Sequence, residues 1–199
     1  LEVYHELDDN KINFIYSDKR PTFGDIFSVI NSKSFVTSPE LAILLNSDIS
    51  IPDEETVYRL ESSINKISRQ QKKVAFSVTR YDKHNGGVEI TLKSGMGLPN
   101  VLSSDAWVFN SRIECAKDLY YSLGQMYCDK FINHDLIESG YKLYNPCLDC
   151  KIIHNEDDLK DADYYKSLGE NVSAADSIKK HWRLSVKSGG NYYGLCRQY

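Results

Sequence analysis

Between Asp53 and Leu92 the spacing of apolar residues changes from a helical to a strand period, which favours folds in which helices cover a sheet. Asp53 is a good N-cap, Glu54 and Glu55 suit the positive end of a helix, and Val57, Leu60, Ile64 and Ile67 fall on one face. Val74, Phe76 and Val78 then alternate through a β-rich run ending at Arg80. His84-Asn85-Gly86-Gly87 reads as a turn, and Val88 to Leu92 alternates again, so residues 74–92 are predicted to form a hairpin.

Downstream, Ser111-Arg112-Ile113-Glu114 fits a capping box. With Ile113, Ala116, Leu119, Leu123 and Tyr127 as its buried stripe, it predicts a helix from Ser111 to about residue 131. Tyr141 to Tyr144 reads as a short strand that delivers the chain to Asn145, an N-cap, and Pro146, a first helical residue. Ser173 caps a further short helix, and Trp182 to Lys187 reads as a strand. The expected fold class is α/β, a mixed sheet flanked by helices. Residues 53–199 form its body, and residues 1–52 an irregular or helical N-terminal layer with short elements. In that layer Lys11 to Tyr16 looks strand-like, and Ser38-Pro39-Glu40 opens a helix bearing Leu41, Leu44 and Leu45.

A chain of 199 residues suffices for one well-cored domain. The net charge of −4 argues against bulk attraction to nucleic-acid phosphates. No run reaches the roughly 20 apolar residues a membrane span needs. No signal peptide is visible, and a chain starting at Leu1 is compatible with removal of an upstream segment. Cytoplasmic and secreted locations both remain open, and Asn171-Val172-Ser173 would be a glycosylation acceptor in the secreted case. Fourteen tyrosines supply apolar area with a polar tip, suited to ligand clefts and protein contacts.

Five cysteines, at 115, 128, 147, 150 and 196, cannot all pair within the chain. Cys147 and Cys150 lie three apart behind Pro146, so on a helix start they share a face where the helix dipole favours thiolate. Cys115 sits near the other predicted helix start. Three converging thiolates, Cys115, Cys147 and Cys150, would hold Zn²⁺ with a water at the fourth position. Buried structural thiols, or a disulfide involving Cys147 or Cys150, are the alternative.

Cys115-Ala116-Lys117 followed by Pro146-Cys147-Leu148-Asp149-Cys150 resembles the zinc-dependent cytidine and nucleobase deaminase superfamily over residues 53–155. The resemblance implies a zinc cofactor and a nucleobase or nucleoside ligand. It departs from the family at Lys117, where the proton-shuttling glutamate belongs. Glu114, Lys117 and His154 are therefore the candidate catalytic residues, and the zinc site is expected to bind more than to turn over. Tyr16 to Pro21 with Phe27, and Val36-Thr37-Ser38, resemble toxin-type ADP-ribosyltransferases. Ser17 stands where that family has arginine, and a Glu-x-Glu pair is lacking. A third reading is a non-enzymatic effector or binding protein, with a small-molecule or protein partner and structural cysteines. His134 is a further possible ligand or base, and His181, Trp182, Arg183 and Arg197 a possible cationic aromatic patch.

Overall fold

The computed structural model describes residues 15–33, 41–84, 87–90, 104–115, 118–125 and 128–155, and the structural statements below concern these residues. The expected mixed α/β arrangement is present. Its elements are α1 (Phe23–Lys33), β1 (Ala42–Leu45), β2 (Ile49–Ser50), α2 (Glu54–Ser68), β3 (Val74–Val78), β4 (Tyr81–His84), β5 (Gly87–Ile90), β6 (Ala106–Phe109), α3 (Cys128–Glu138), β7 (Lys142–Tyr144) and β8 (Ile153–His154). One sheet has the order β1-β6-β3-β7 and the other β2-β8-β4-β5. No helix among the described residues is long and apolar enough to cross a membrane.

In the first sheet β6 runs antiparallel to both β1 and β3, while β7 runs parallel to β3. Strand pleating sends alternate residues to opposite faces. Ala75, Trp107 and Phe109 point into a core shared with Phe23, Phe27, Ile132 and Leu136 of α1 and α3. Val74, Phe76, Val78, Ala106 and Val108 point the other way, onto Leu60 and Ile64 of α2 and onto Tyr81, Cys147, Cys150 and Ile152. The central β3 is buried along its whole length, as a strand covered on both faces must be.

Helix α2 forms as its sequence predicts. Asp53 accepts a hydrogen bond from Thr56 N at 2.7 Å; the Thr56 side chain and then this backbone bond hold its carboxyl below the usual range, and Leu60 and Ile64 are buried. Strand β7 also lies where expected, in the same sheet as β3.

The N-terminal layer supplies the short elements α1 and β1. Other expectations need correction. Leu44 and Leu45 belong to strand β1 and not to a helix, because β6 offers their backbone a full ladder from Ala42↔Phe109 to Leu45↔Ala106. The hairpin is β4–β5, not β3 with β5: Tyr81 pairs with Ile90 and His84 with Gly87. β3 is taken instead by β6 and β7. The strand at 106–109 has no counterpart in the sequence reading. Lys11 to Phe14, residues 34–40, Asn85 and Gly86, and everything after Asn155, including the predicted helix at Ser173, the strand at 182–187 and the patch around Trp182, lie outside the described residues.

The helix expected from Ser111 is absent from the described parts of 111–125, where the chain is irregular. Competing partners occupy its backbone. Asn31 on α1 clamps Ile113 from both sides, donating from Nδ2 to the carbonyl at 2.9 Å and accepting from the N–H at Oδ1 at 2.8 Å. Tyr141 OH accepts from Glu114 N at 2.9 Å. The carbonyls of Leu119 and Tyr121 accept from Gly24 N and Phe23 N, both at 3.0 Å, and so satisfy the open first turn of α1. A Cβ at Gly24 would meet Leu119 O at 3.1 Å, so this docking favours glycine. Asn31→Ala is expected to cost about 2 kcal/mol by stripping both bonds from a part-buried backbone, measurable as a shift of the urea midpoint.

Candidate functional site: the polar end of the central sheet

The directions of β1, β3 and β7 bring their C-terminal ends together, and antiparallel β6 begins there too. Ligands of open α/β sheets gather at the carboxyl ends of strands. Among the described residues the buried polar and charged side chains are Thr56, Ser77, Thr79, Asp82, Ser104, Asp105, Asn133, Asn145 and His154. All but Thr56 belong to this end or are linked to it by hydrogen bonds and ion pairs.

Three polar groups of contacts meet there. Asn133, from the middle of α3, accepts at Oδ1 from Trp107 Nε1 at 2.8 Å and from Ser77 Oγ at 2.9 Å, and donates from Nδ2 to Ser104 Oγ at 3.0 Å. Asn145, at the end of β7, accepts from Thr79 N at 3.2 Å and donates to Thr79 Oγ1 at 2.8 Å. Arg80 joins the two sheets: its Nε donates to Asp82 Oδ1 at 2.9 Å and its Nη1 to Asp105 Oδ1 at 3.2 Å. Burial works against the Arg80 charge, but Asp105 and Asp82 outweigh it, so the guanidinium holds its proton more firmly than usual. His154 lies beyond Asp82, with Nδ1 at 3.2 Å from Asp82 Oδ1 and Nε2 at 3.4 Å from Asp48 Oδ2.

Asp129, in the first turn of α3, accepts from Ser104 N at 3.3 Å. Burial, and then the Asp105 charge, push its carboxyl up to about 6. This end of the sheet therefore carries more negative than positive charge, and one of its carboxyls is poised to take up a proton near neutral pH.

The structure does not bring the three expected zinc ligands together. Cys147 and Cys150 lie in the turn after β7, where Asp149 N and Cys150 N both donate to Pro146 O, at 3.0 and 2.8 Å. This is a single turn and not the expected helix start, although Asn145 Oδ1 does accept from Cys147 N at 3.3 Å. Tyr81 OH donates to the Cys147 carbonyl at 2.7 Å. Both thiols are buried in the α2 core. Cys115 packs against the core on the other face, its sulfur 3.2 Å from Ser139 Oγ, just before β7 begins. A strand of three residues, roughly 10 Å long, lies between the two places. One zinc with bonds of about 2.3 Å cannot span that gap. Among the described residues no group of three or more His, Cys, Asp or Glu could hold a metal ion. The described cysteines, Cys115, Cys128, Cys147 and Cys150, are free thiols. Burial pushes Cys150 up to about 11 and Cys128 up to about 12, away from the thiolate form.

The candidate catalytic residues are likewise separated. Glu114 is largely exposed and pairs with Lys73 at 3.3 Å, at the start of β3. His154 belongs to the opposite end of that strand. Ala116 and Lys117 lie outside the described residues. His134 sits on α3, 3.3 Å from Asp135 Oδ1. Sequence reasoning did reach His154, but with Cys150 as its supposed neighbour. It missed Arg80, Asp82, Asp105, Asp129 and Asn133. The one local signal was a set of charges directly after or before apolar runs, as in Val78-Thr79-Arg80 and Ser104-Asp105-Ala106.

Among the described residues, fold and site together define an α/β arrangement with two mixed sheets, three helices and a buried, charge-rich strand end. Compared with protein-family models, with curated proteins and with solved structures, the chain finds no match.

Proposed function

We propose that this chain is a non-enzymatic binding protein, of the effector or binding-subunit kind, whose described cysteines are packing groups. The observation that carries this reading is the division of the thiols: Cys147 and Cys150 are buried in one core, and Cys115 is packed against the other. Large apolar side chains displayed to solvent supply contact area for a partner, namely Ile15, Tyr16, Tyr58, Tyr120 and Leu148. Tyrosine suits such a role because its ring gives area while its hydroxyl stays wet. The deaminase-like reading would need Cys115 to cross from one face and one end of the sheet to the other.

Elemental analysis and thiol titration of the purified protein test the proposal. Zinc well below one ion per chain is expected, with Cys147 and Cys150 reacting with an aromatic disulfide reagent only after unfolding. No ammonia should be released from cytidine or adenosine. Stoichiometric zinc that is lost on Cys147→Ser, together with nucleoside turnover, would overturn the proposal in favour of a deaminase-like zinc site.

A further inference from the structure

We propose that Cys147 and Cys150 are a dithiol switch, closing to a disulfide in an oxidising setting and so changing how Leu148 is held. The pair lies in one turn. Asp149 N and Cys150 N both donate to Pro146 O, at 3.0 and 2.8 Å, so the chain from Pro146 to Cys150 follows one helix-like turn. Residues three apart in such a turn have Cα atoms about 5 Å apart, inside the range a disulfide bridges. Their Cβ atoms are about 5–6 Å apart, against about 4 Å in a disulfide, so closure tightens the turn by roughly 1–2 Å. Both side chains enter the same core, with Leu60 and Ile64 of α2. The other described cysteines do not compete, since Cys115 and Cys128 belong to the core on the opposite face of the sheet.

Cys147 is anchored: Tyr81 OH donates to its carbonyl at 2.7 Å, and Asn145 Oδ1 accepts from its N–H at 3.3 Å. Tightening therefore displaces the residues after it, and the first of these is Leu148, 46% exposed. On the binding-protein reading above, on which this rests, a partner-facing side chain becomes responsive to redox state. The oxidant is a small-molecule disulfide. One protein thiolate attacks it, forming a mixed disulfide and releasing a thiol, and the second thiolate then displaces the other half. The two protein thiols lose two electrons and two protons, and the oxidant becomes two thiols. Cys147 and Cys150 are 1% and 0% exposed, so exchange waits for the turn to open and is slow.

Reduced protein brought to equilibrium with glutathione mixtures, from reducing to oxidising, tests this. Trypsin cuts after Lys142 and Lys151, so one peptide, Leu143 to Lys151, carries both cysteines. From oxidising mixtures it is expected to be about 2 Da lighter, with no glutathione attached, and the Leu148 methyl NMR signals of the intact protein should shift. The urea-unfolded chain, which lacks the turn, should need a mixture about tenfold more oxidising to close. A peptide that stays a dithiol, carries glutathione or closes as readily in urea would overturn the proposal, and so would unchanged Leu148 signals. Zinc measured in the same reduced samples separates the two readings. Stoichiometric zinc overturns the binding-protein reading, whereas zinc-free protein that does not close overturns only the switch.

Discussion

Asn133→Leu is expected to destabilise the protein by about 4 kcal/mol, among the largest losses from any single polar residue here. The leucine fills a similar volume but offers nothing to Trp107 Nε1, Ser77 Oγ or Ser104 Oγ, all of which now reach the Asn133 carboxamide within 3.0 Å. The two serines keep their mutual bond of 2.6 Å, so the indole N–H suffers most. Trp107 is fully buried, and a buried donor without an acceptor costs the whole of its lost hydration. Urea unfolding followed by tryptophan fluorescence reads the loss directly. A loss below about 1 kcal/mol would mean that the network contributes little beyond an apolar contact of the same shape.

Asp129→Asn should act in the opposite direction, stabilising the protein by about 2 kcal/mol at pH 7. The folded-state carboxyl is pushed up to about 6 from an ordinary value of 3.8, chiefly by burial and then by Asp105. A raised acid binds its proton more tightly folded than unfolded. The wild-type side chain is therefore no burden below about pH 4. Its penalty grows as the pH rises toward 6 and is constant above that. Asparagine still accepts from Ser104 N and carries no charge, so its advantage should be present at pH 7 and shrink to near zero at pH 4. The small favourable effect of an acid near a helix N-terminus is lost in the exchange, which keeps the gain below the full linkage value. An advantage independent of pH would show that the charge on Asp129 is not the cause.

The sequence was most legible where local signals and tertiary needs agreed. Asp53, Glu54 and Glu55 mark the start of α2, and Leu60 and Ile64 mark its buried face, so capping and packing specify the same helix. It misled where a distant partner took over. Leu41, Leu44 and Leu45 have helical spacing, yet β6, about sixty residues away, makes a strand of Leu44 and Leu45. Ser111 to Glu114 has the letters of a capping box, but Asn31 and Tyr141 hold that backbone in another shape. For the site, spacing in the chain suggested that Cys115, Cys147 and Cys150 converge, while spacing cannot report which face of a sheet each will occupy. The carboxylates beside Arg80 and His154 come from three separate stretches of chain, the turn at Asp48, strand β4 and the residues before β6, and no local pattern announces their meeting.

The sheet order β1-β6-β3-β7 carries a kinetic consequence. β1 meets β6 across sixty or more intervening residues, sixty from Leu45 to Ala106, and β3 meets β7 across a similar gap, from Val74 to Lys142. Closing such loops lowers chain entropy before the pairing returns anything. The tight β4–β5 hairpin is local, and so is α2; they can form early and wait. β3 and β6 are nearer in the chain, from Val78 to Ala106, whereas β1 and β7 join the sheet only across the longer gaps. Refolding is therefore expected to be slow for a chain of this size, with its rate set by the encounter of β3, β6 and β7, and with the fully apolar face of β3 exposed until they meet.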